Sequence, residues 1–474
     1  MKIAMVGTGY VGLPQGAVFA NVGNKVICVD CLEDRINEIK KFCDGQTNKL
    51  PVHESGLNEL VLRNYSSKSL DFTTDINYAV KESDLIFLCV GTPANGDGSV
   101  NTQYVLNVAK EVGNAMNYAD DIYKMIVIKS TVPPGTAKEV SKVLKNTTNN
   151  NFDIISNPEF LAQGEAVSGS HKPDRIVIGL PKEKYFGSLK ADSKSVELRE
   201  TFRRLYAPFN MKGEDKVFFM TNEDAELHKY IANTYLAAQI AVTNEAANLA
   251  KKVGANWRRL SAPIKYDPRI GSFIHPSTGF GGSCFPKDVK AIVKVFEKEG
   301  VESKVISKII PANEYQKLIL NQSLEEFYDS NLNGKTFSIW GLSFKAETND
   351  TRESSAIEII TDLLKKGAKV KAYDPEGVPD MKIKLSEKED LSDLLENVEF
   401  FSPYNNHSKY DALKDSDGLM ILTEWMEFRQ PDFIEIKKLL KNPLILDGRD
   451  LFKPEQMKEL GFNYICIGNE NILQ

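Results

Sequence analysis

The chain has no hydrophobic run near the length of a membrane span, no surplus of positive charge, and few cysteines for its size. The first absence argues against a transmembrane segment. The second, a net charge of -6 at pH 7, removes the electrostatic case for nucleic acid or an anionic membrane as partner. Six cysteines in 474 residues are too sparse for a disulfide scaffold and suggest reduced thiols in a cytoplasm. Five of them (Cys28, Cys31, Cys43, Cys89 and Cys466) fall in or beside expected strands and helices, where buried packing is the expectation. No signal peptide is expected, because residues 1–6 already read as a strand and a glycine motif begins at Gly7.

What is present is the composition of a soluble globular protein, with 42% hydrophobic and 26% charged residues. The length suits two or three domains. Short apolar runs at 3–6, 25–29, 85–90, 125–128, 153–155 and 175–178 alternate with amphipathic stretches such as 33–42 and 104–116. That alternation predicts a parallel sheet with helices on both faces. Gly7-Thr8-Gly9-Tyr10-Val11-Gly12 follows the first strand and opens a helix, and Asp30 closes the second strand. These are the flanks a dinucleotide-binding turn needs: the backbone approaches a pyrophosphate and the acid meets the adenosine ribose. Asp30 would repel a 2′-phosphate and so favours NAD over NADP, while Arg35 leaves NADP open. Three further loops follow strands at their carboxyl ends: Gly91-Thr92-Pro93, the Ser130-Thr131 turn, and Asn157-Pro158-Glu159-Phe160-Leu161. Each reads as an ordinary turn or as a ligand-facing rim.

A long helix is expected over 222–253, apolar nearly all round and hence buried in the protein or in a subunit interface. Lys229 and Asn233 share one of its faces. Lys229 reads either as a solvated tip or, with Leu236 and Ile240 beside it, as a buried group. The β/α alternation restarts near Gly334, with strands at 336–340, 369–373, 418–422 and 443–446. The expected architecture is α/β: two doubly wound Rossmann-like domains joined by a long central helix and a helical middle region. The divisions are 1–215, 216–330 and 331–474. Between the two domains, Gly279-Phe280-Gly281-Gly282-Ser283-Cys284-Phe285-Pro286-Lys287-Asp288 puts a thiol just ahead of a helix start, in an expected interdomain cleft. The helix dipole favours a thiolate there, and Asp288 follows about one turn on. From this stretch alone, Cys284 reads equally as a reactive thiol or as a buried structural one.

With Glu226-Leu227-His228-Lys229, Asp267-Pro268-Arg269-Ile270-Gly271, the Cys284 stretch, Asp350-Thr351-Arg352-Glu353-Ser354 and Asp447-Gly448-Arg449 all in order, the chain resembles the nucleotide-sugar 6-dehydrogenases. Within them it is most similar to the branch that oxidises UDP-glucose. The resemblance implies oxidation of a C6 alcohol to a carboxylate with two NAD+ and one water. Cys284 would add to the intermediate aldehyde as a thiohemiacetal, whose second oxidation leaves a thioester for hydrolysis. It further implies that Lys229 and Asp288 take the first proton, and that Asn233 holds substrate oxygen or water. Glu159 and Thr131 would position or activate the hydrolytic water. For the cofactor it implies Gly7, Gly9, Tyr10, Val11, Gly12, Asp30, Arg35, Gly91, Thr92, Thr131 and Arg352. For the UDP-sugar it implies Phe160, Leu161, Arg269, Phe273, Phe280, Gly281, Phe344, Lys345 and Arg449, besides Glu159, Lys229 and Asn233. No metal is implied, and a homo-oligomer, a dimer at least, is. Gln163 stands where many relatives carry Glu. GDP-mannose as substrate, a one-step hydroxyacid dehydrogenase and a non-catalytic nucleotide-sugar sensor are the competing expectations.

Overall fold

The structure, a computed structural model, describes residues 1–119, 123–190, 192–210, 215–271 and 273–474. It divides into two compact units, Met1–Ala232 and Asn233–Gln474. The first is built on β1 (Lys2–Val6), β2 (Lys25–Val29), β3 (Leu70–Thr73), β4 (Leu85–Leu88), β5 (Lys124–Ile128), β6 (Phe152–Ser156), β7 (Ile176–Leu180) and β8 (Val217–Thr221). Their order in the sheet is β3-β2-β1-β4-β5-β6-β7-β8. Neighbours run parallel except β6 and β7. The first six strands thus have the doubly wound 3-2-1-4-5-6 order, whose ligand crevice lies beyond the carboxyl ends of the strands where that order reverses.

Continuous apolar strands arise here because both sheet faces are covered. Ile3, Met5, Leu85 and Phe87 enter one core, whereas Ala4, Val6, Ile86 and Leu88 enter another. Alternate residues on one strand therefore serve opposite layers, and β4 is buried at every position.

The second unit repeats the plan with β9 (Thr336–Trp340), β10 (Lys369–Tyr373), β11 (Val398–Phe401), β12 (Gly418–Ile421), β13 (Leu444–Asp447) and β14 (Asn463–Cys466). Their order is β11-β10-β9-β12-β13-β14, all parallel. Phe337 and Ile339 face one core, Trp340 the other.

The long helix spans Asn222–Lys252, and the division between the units falls within it. It is not buried all round in the single chain: Tyr235, Val242 and Leu249, seven residues apart, are 71%, 66% and 64% exposed. No helix among the described residues is long and apolar enough to cross a membrane. The cysteines are all free, but their burial differs from expectation at Cys31, which is exposed. Cys28 and Cys31 have Cys-x-x-Cys spacing, yet Cys28 is buried within β2 and Cys31 lies beyond its end.

Candidate active site

In the first unit the turn after β1 is closed by its own glycines. Gly7 has φ +102°, in the region that excludes most side chains. A methyl group at Gly12 would collide with the Gly7 carbonyl oxygen. The space a side chain would fill is thus left to backbone at the start of the helix Gly12–Asn21, with Val11 at its cap and Gly9 and Tyr10 partly exposed beside it. Asp30, just past β2, is buried. One of its oxygens accepts from the Thr8 backbone N–H (2.8 Å) and hydroxyl (2.9 Å). The other accepts from Leu32 N–H at 3.1 Å. The acid therefore fixes the glycine turn as well as closing the second strand. Arg35 lies half-buried on the helix Glu33–Cys43, with its guanidinium toward Gly9. This backbone cradle and the acid beside it fit a dinucleotide.

Two expected rim loops meet. The Thr92 hydroxyl donates to the Thr131 carbonyl at 2.9 Å, beside exposed Gly91. Glu159 and Lys229 form a second cluster, both buried, with Nζ 3.0 Å from Oε1. The Leu161 N–H donates to the other Glu159 oxygen at 2.6 Å. Burial alone would raise the Glu159 carboxyl; the Lys229 ammonium, the Leu161 N–H and Lys129 outweigh it and hold the group below the usual carboxylate range. Of the two expectations for Lys229, the buried one holds. The Phe160 ring lies 4.0 Å from the Arg175 guanidinium and 5.2 Å from Lys229 Nζ, so it is enclosed by cations.

In the second unit, Cys284 caps the helix Phe285–Lys298, with Pro286 in the first turn as expected. Its carbonyl accepts from Asp288 N–H at 2.8 Å, and Sγ lies 3.7 Å from the Ser283 hydroxyl. Asp288 is buried. It accepts from Asn233 Nδ2 at 2.6 Å and pairs with Lys287. The preceding loop is clamped: Phe280 N–H donates to Asn313 Oδ1 (2.8 Å), and Asn313 Nδ2 returns a bond to the Phe280 carbonyl (2.9 Å). The Phe280 ring is buried with Ala237, Val289 and Ile309.

Two later segments press on this loop. A methyl group at Gly281 would strike the Glu353 carbonyl oxygen, and one at Gly282 would meet the Phe344 ring. Gly282 N–H donates to the Arg352 carbonyl at 2.8 Å. The Arg352 guanidinium forks onto Asp350, at 2.9 and 2.6 Å. Arg449 reaches the Phe344 carbonyl at 3.4 Å and pairs with Glu424; Lys345 is half-buried in the same turn. Arg269 and Phe273 are not part of this group. Both are exposed, and Arg269 forks onto Asp267 at 2.9 and 2.6 Å.

Two buried charges escaped the reading of the sequence as site residues. Glu226 accepts from the Gly135 and Ala137 N–H groups (2.6 and 2.8 Å), holding the start of the helix Thr136–Lys145 that follows the Thr131 loop. Lys129, next to that loop, is 4% exposed. The Glu226 position belongs to the Glu-Leu-His-Lys motif, which was a signal available in the sequence. Nothing in local periodicity marks Lys129.

Comparison with known proteins places the chain in one family. Three models of the UDP-glucose/GDP-mannose dehydrogenase family match: its NAD binding domain at residues 1–210, its central domain at 223–315 and its UDP binding domain at 338–454. A UDP-glucose 6-dehydrogenase of Bacillus subtilis is 38% identical over 98% of this chain and 93% of its own length. One of Rhizobium meliloti is 37% identical over 99% of both. A solved UDP-glucose dehydrogenase from Pyrobaculum islandicum superposes with a TM-score of 0.82 at 30% identity, covering 98% of this chain and 96% of that one. The expected fold class and the expectation of NAD as cofactor both stand.

Proposed function

Because the chain belongs to the UDP-glucose/GDP-mannose dehydrogenase family, we propose that it oxidises the C6 alcohol of UDP-glucose to the carboxylate of UDP-glucuronate through a thioester on Cys284. Per sugar, the reaction consumes two NAD+ and one water and yields two NADH. The observation that carries this reading is Cys284 at the cap of a 14-residue helix, with buried Asp288 held by Asn233 one turn on. Whole-length similarity to two UDP-glucose 6-dehydrogenases supports the substrate.

NAD supplies the hydride acceptor for both oxidations. The chain's own work is proton handling, covalent capture and water activation. An alcohol gives up a hydride once its proton has somewhere to go: the Asp288 carboxylate takes it, with the Lys229 ammonium beside the forming alkoxide and Asn233 holding the oxygen. An aldehyde has no hydride to give until a nucleophile adds, and the Cys284 thiolate is that nucleophile. The Lys229 ammonium stabilises the oxyanion of the adduct. Glu159 and Thr131 then direct water onto the thioester. In this reading residues 1–215 hold NAD, 216–330 carry the thiol, and 331–474 take the UDP moiety through Lys345 and Arg449. Arg269 and Phe273, exposed in the single chain, would join the sugar-nucleotide site in the assembled oligomer, Arg269 by reaching across a dimer.

We also read the chain as a homodimer at least, supported by the exposed stripe Tyr235, Val242 and Leu249. A cytoplasmic location suits its free thiols.

The test is stoichiometry. Two NADH per UDP-glucose are expected, and a Cys284→Ala protein that forms no glucuronate. One NADH with free aldehyde would sink the thioester account. Turnover of GDP-mannose in place of UDP-glucose would keep the chemistry and overturn the substrate.

A further inference from the structure

Lys129 stands immediately after β5, buried, at a place where an ammonium is expensive unless it is held. Its Nζ lies 3.3 Å from Asn157 Oδ1 and 3.4 Å from the Asn157 carbonyl. Asn157 is itself pinned: its N–H donates to the Ile128 carbonyl (2.8 Å), its Nδ2 donates to Val177 (2.9 Å), and Tyr206 donates to its Oδ1. Two residues further along that strand end comes Glu159. Lys129, Asn157 and Glu159 line one cavity of about 90 Å³, together with Gln15, Ser170 and Tyr206. The cavity has mixed walls, with Pro158, Phe160, Leu161 and Ile176 beside the polar groups, and room for a few water molecules.

We propose that Lys129 is a positioning residue for thioester hydrolysis: its fixed ammonium holds the Glu159 carboxylate ionised and aimed at the water it activates. This rests on the proposed function. In the step itself, water oxygen bonds to the acyl carbon and the carbon–sulfur bond breaks. The thiolate returns to Cys284, and the water proton passes to Glu159. No oxidant is needed. The two lysines divide the work, Lys229 touching Glu159 directly and Lys129 acting through the Asn157 turn and across the cavity. Burial pushes Lys129 down to about 8, opposed by Cys89 and then Glu159, so the cation persists at neutral pH. The other charged or titratable groups around it are Cys89, Lys229, Lys172, Asp174, Arg175 and Tyr206.

The experiment compares Lys129→Met and Lys129→Arg in the full-length enzyme with UDP-glucose and NAD. Lys129→Met should turn over at least about tenfold more slowly, part of the 10²–10⁴ that an acid–base group contributes. Its KM values should stay within about twofold. Mass spectrometry should find the sugar-nucleotide adduct accumulating on Cys284. Removing a cation raises the Glu159 pKa, so the slow step in Lys129→Met should speed up with rising pH at acidities where the parent is already level. Lys129→Arg should restore the level profile. Parent-like turnover in Lys129→Met, slow turnover without adduct, or equal defects in the Met and Arg variants would each overturn the proposal. If Lys129→Met does not fold, Lys129→Gln gives the same readings. Failure of the proposed function is distinguishable, because the unaltered protein would then not make two NADH from UDP-glucose.

Discussion

At Gly281 a single methyl group decides whether the thiol loop can form. The Glu353 carbonyl occupies the space a Cβ would need, and the obstacle is backbone, which cannot rotate aside. Gly281→Ala should therefore cost about 1–3 kcal/mol, the range for overpacking, and lower turnover more than NAD binding. Equal activity and an unchanged denaturation midpoint would show that the segment 350–354 yields freely. The Glu159–Lys229 pair is different in kind. Removing either partner strands a buried charge, so damage to folding and damage to chemistry arrive together there. That is why the single charge at Lys129 is the cleaner probe. Such burial was only half legible. Apolar flanks hinted at it for Lys229, but the groups that hold Lys129 and Glu226 lie 28 and about 90 residues away in sequence. Periodicity cannot report partners brought in by the fold.

Among the elements, the helix Thr136–Lys145 begins on a buried carboxyl. Burial raises Glu226 to about 7, and the bonds it accepts from Ala137, Gly135 and Ser156 only partly offset that. A raised folded-state value means stability that is complete below about 4.5 and is lost as pH rises through about 7. Glu226→Gln cannot ionise, so its melting temperature should change less between those limits than the parent's. Parallel curves would show that Glu226 is charged throughout. The strands divided by pattern. β1 and β4 were legible because buried faces on both sides require near-unbroken apolar runs. β3 (Leu70-Asp71-Phe72-Thr73) was missed because its polar residues, one of them exposed, mask two buried ones. β11 (Val398-Glu399-Phe400-Phe401) and β14 (Asn463-Tyr464-Ile465-Cys466) were missed for the same reason, and β8 (Val217-Phe218-Phe219-Met220-Thr221) was missed although four of its five residues are apolar.

For the whole molecule, the restart of β/α alternation was the informative signal, and the six-stranded sheet has the strand order of the first six strands of the eight-stranded one. Of the two expectations for the long helix, burial in the single chain fails at Tyr235, Val242 and Leu249, leaving the subunit interface, because composition cannot tell a core from a partner's surface. If the stripe through Tyr235, Val242 and Leu249 meets a second copy, Val242→Asp should shift sedimentation toward monomer with far-UV dichroism unchanged. An unaltered sedimentation coefficient would place the subunit contact elsewhere.

The cysteines carry one more consequence. Cys28, Cys89 and Cys466 are buried, with thiols pushed up by that burial, and Cys43 is half-buried and pushed up to about 12. Thiols so protonated are slow toward electrophiles at neutral pH. That leaves Cys31, which is exposed, and Cys284, which is partly exposed, as the accessible targets. A Cys31→Ser chain would then be, to an alkylating probe, nearly a single-thiol protein, in which label uptake reports whether substrate already occupies the one sulfur that matters.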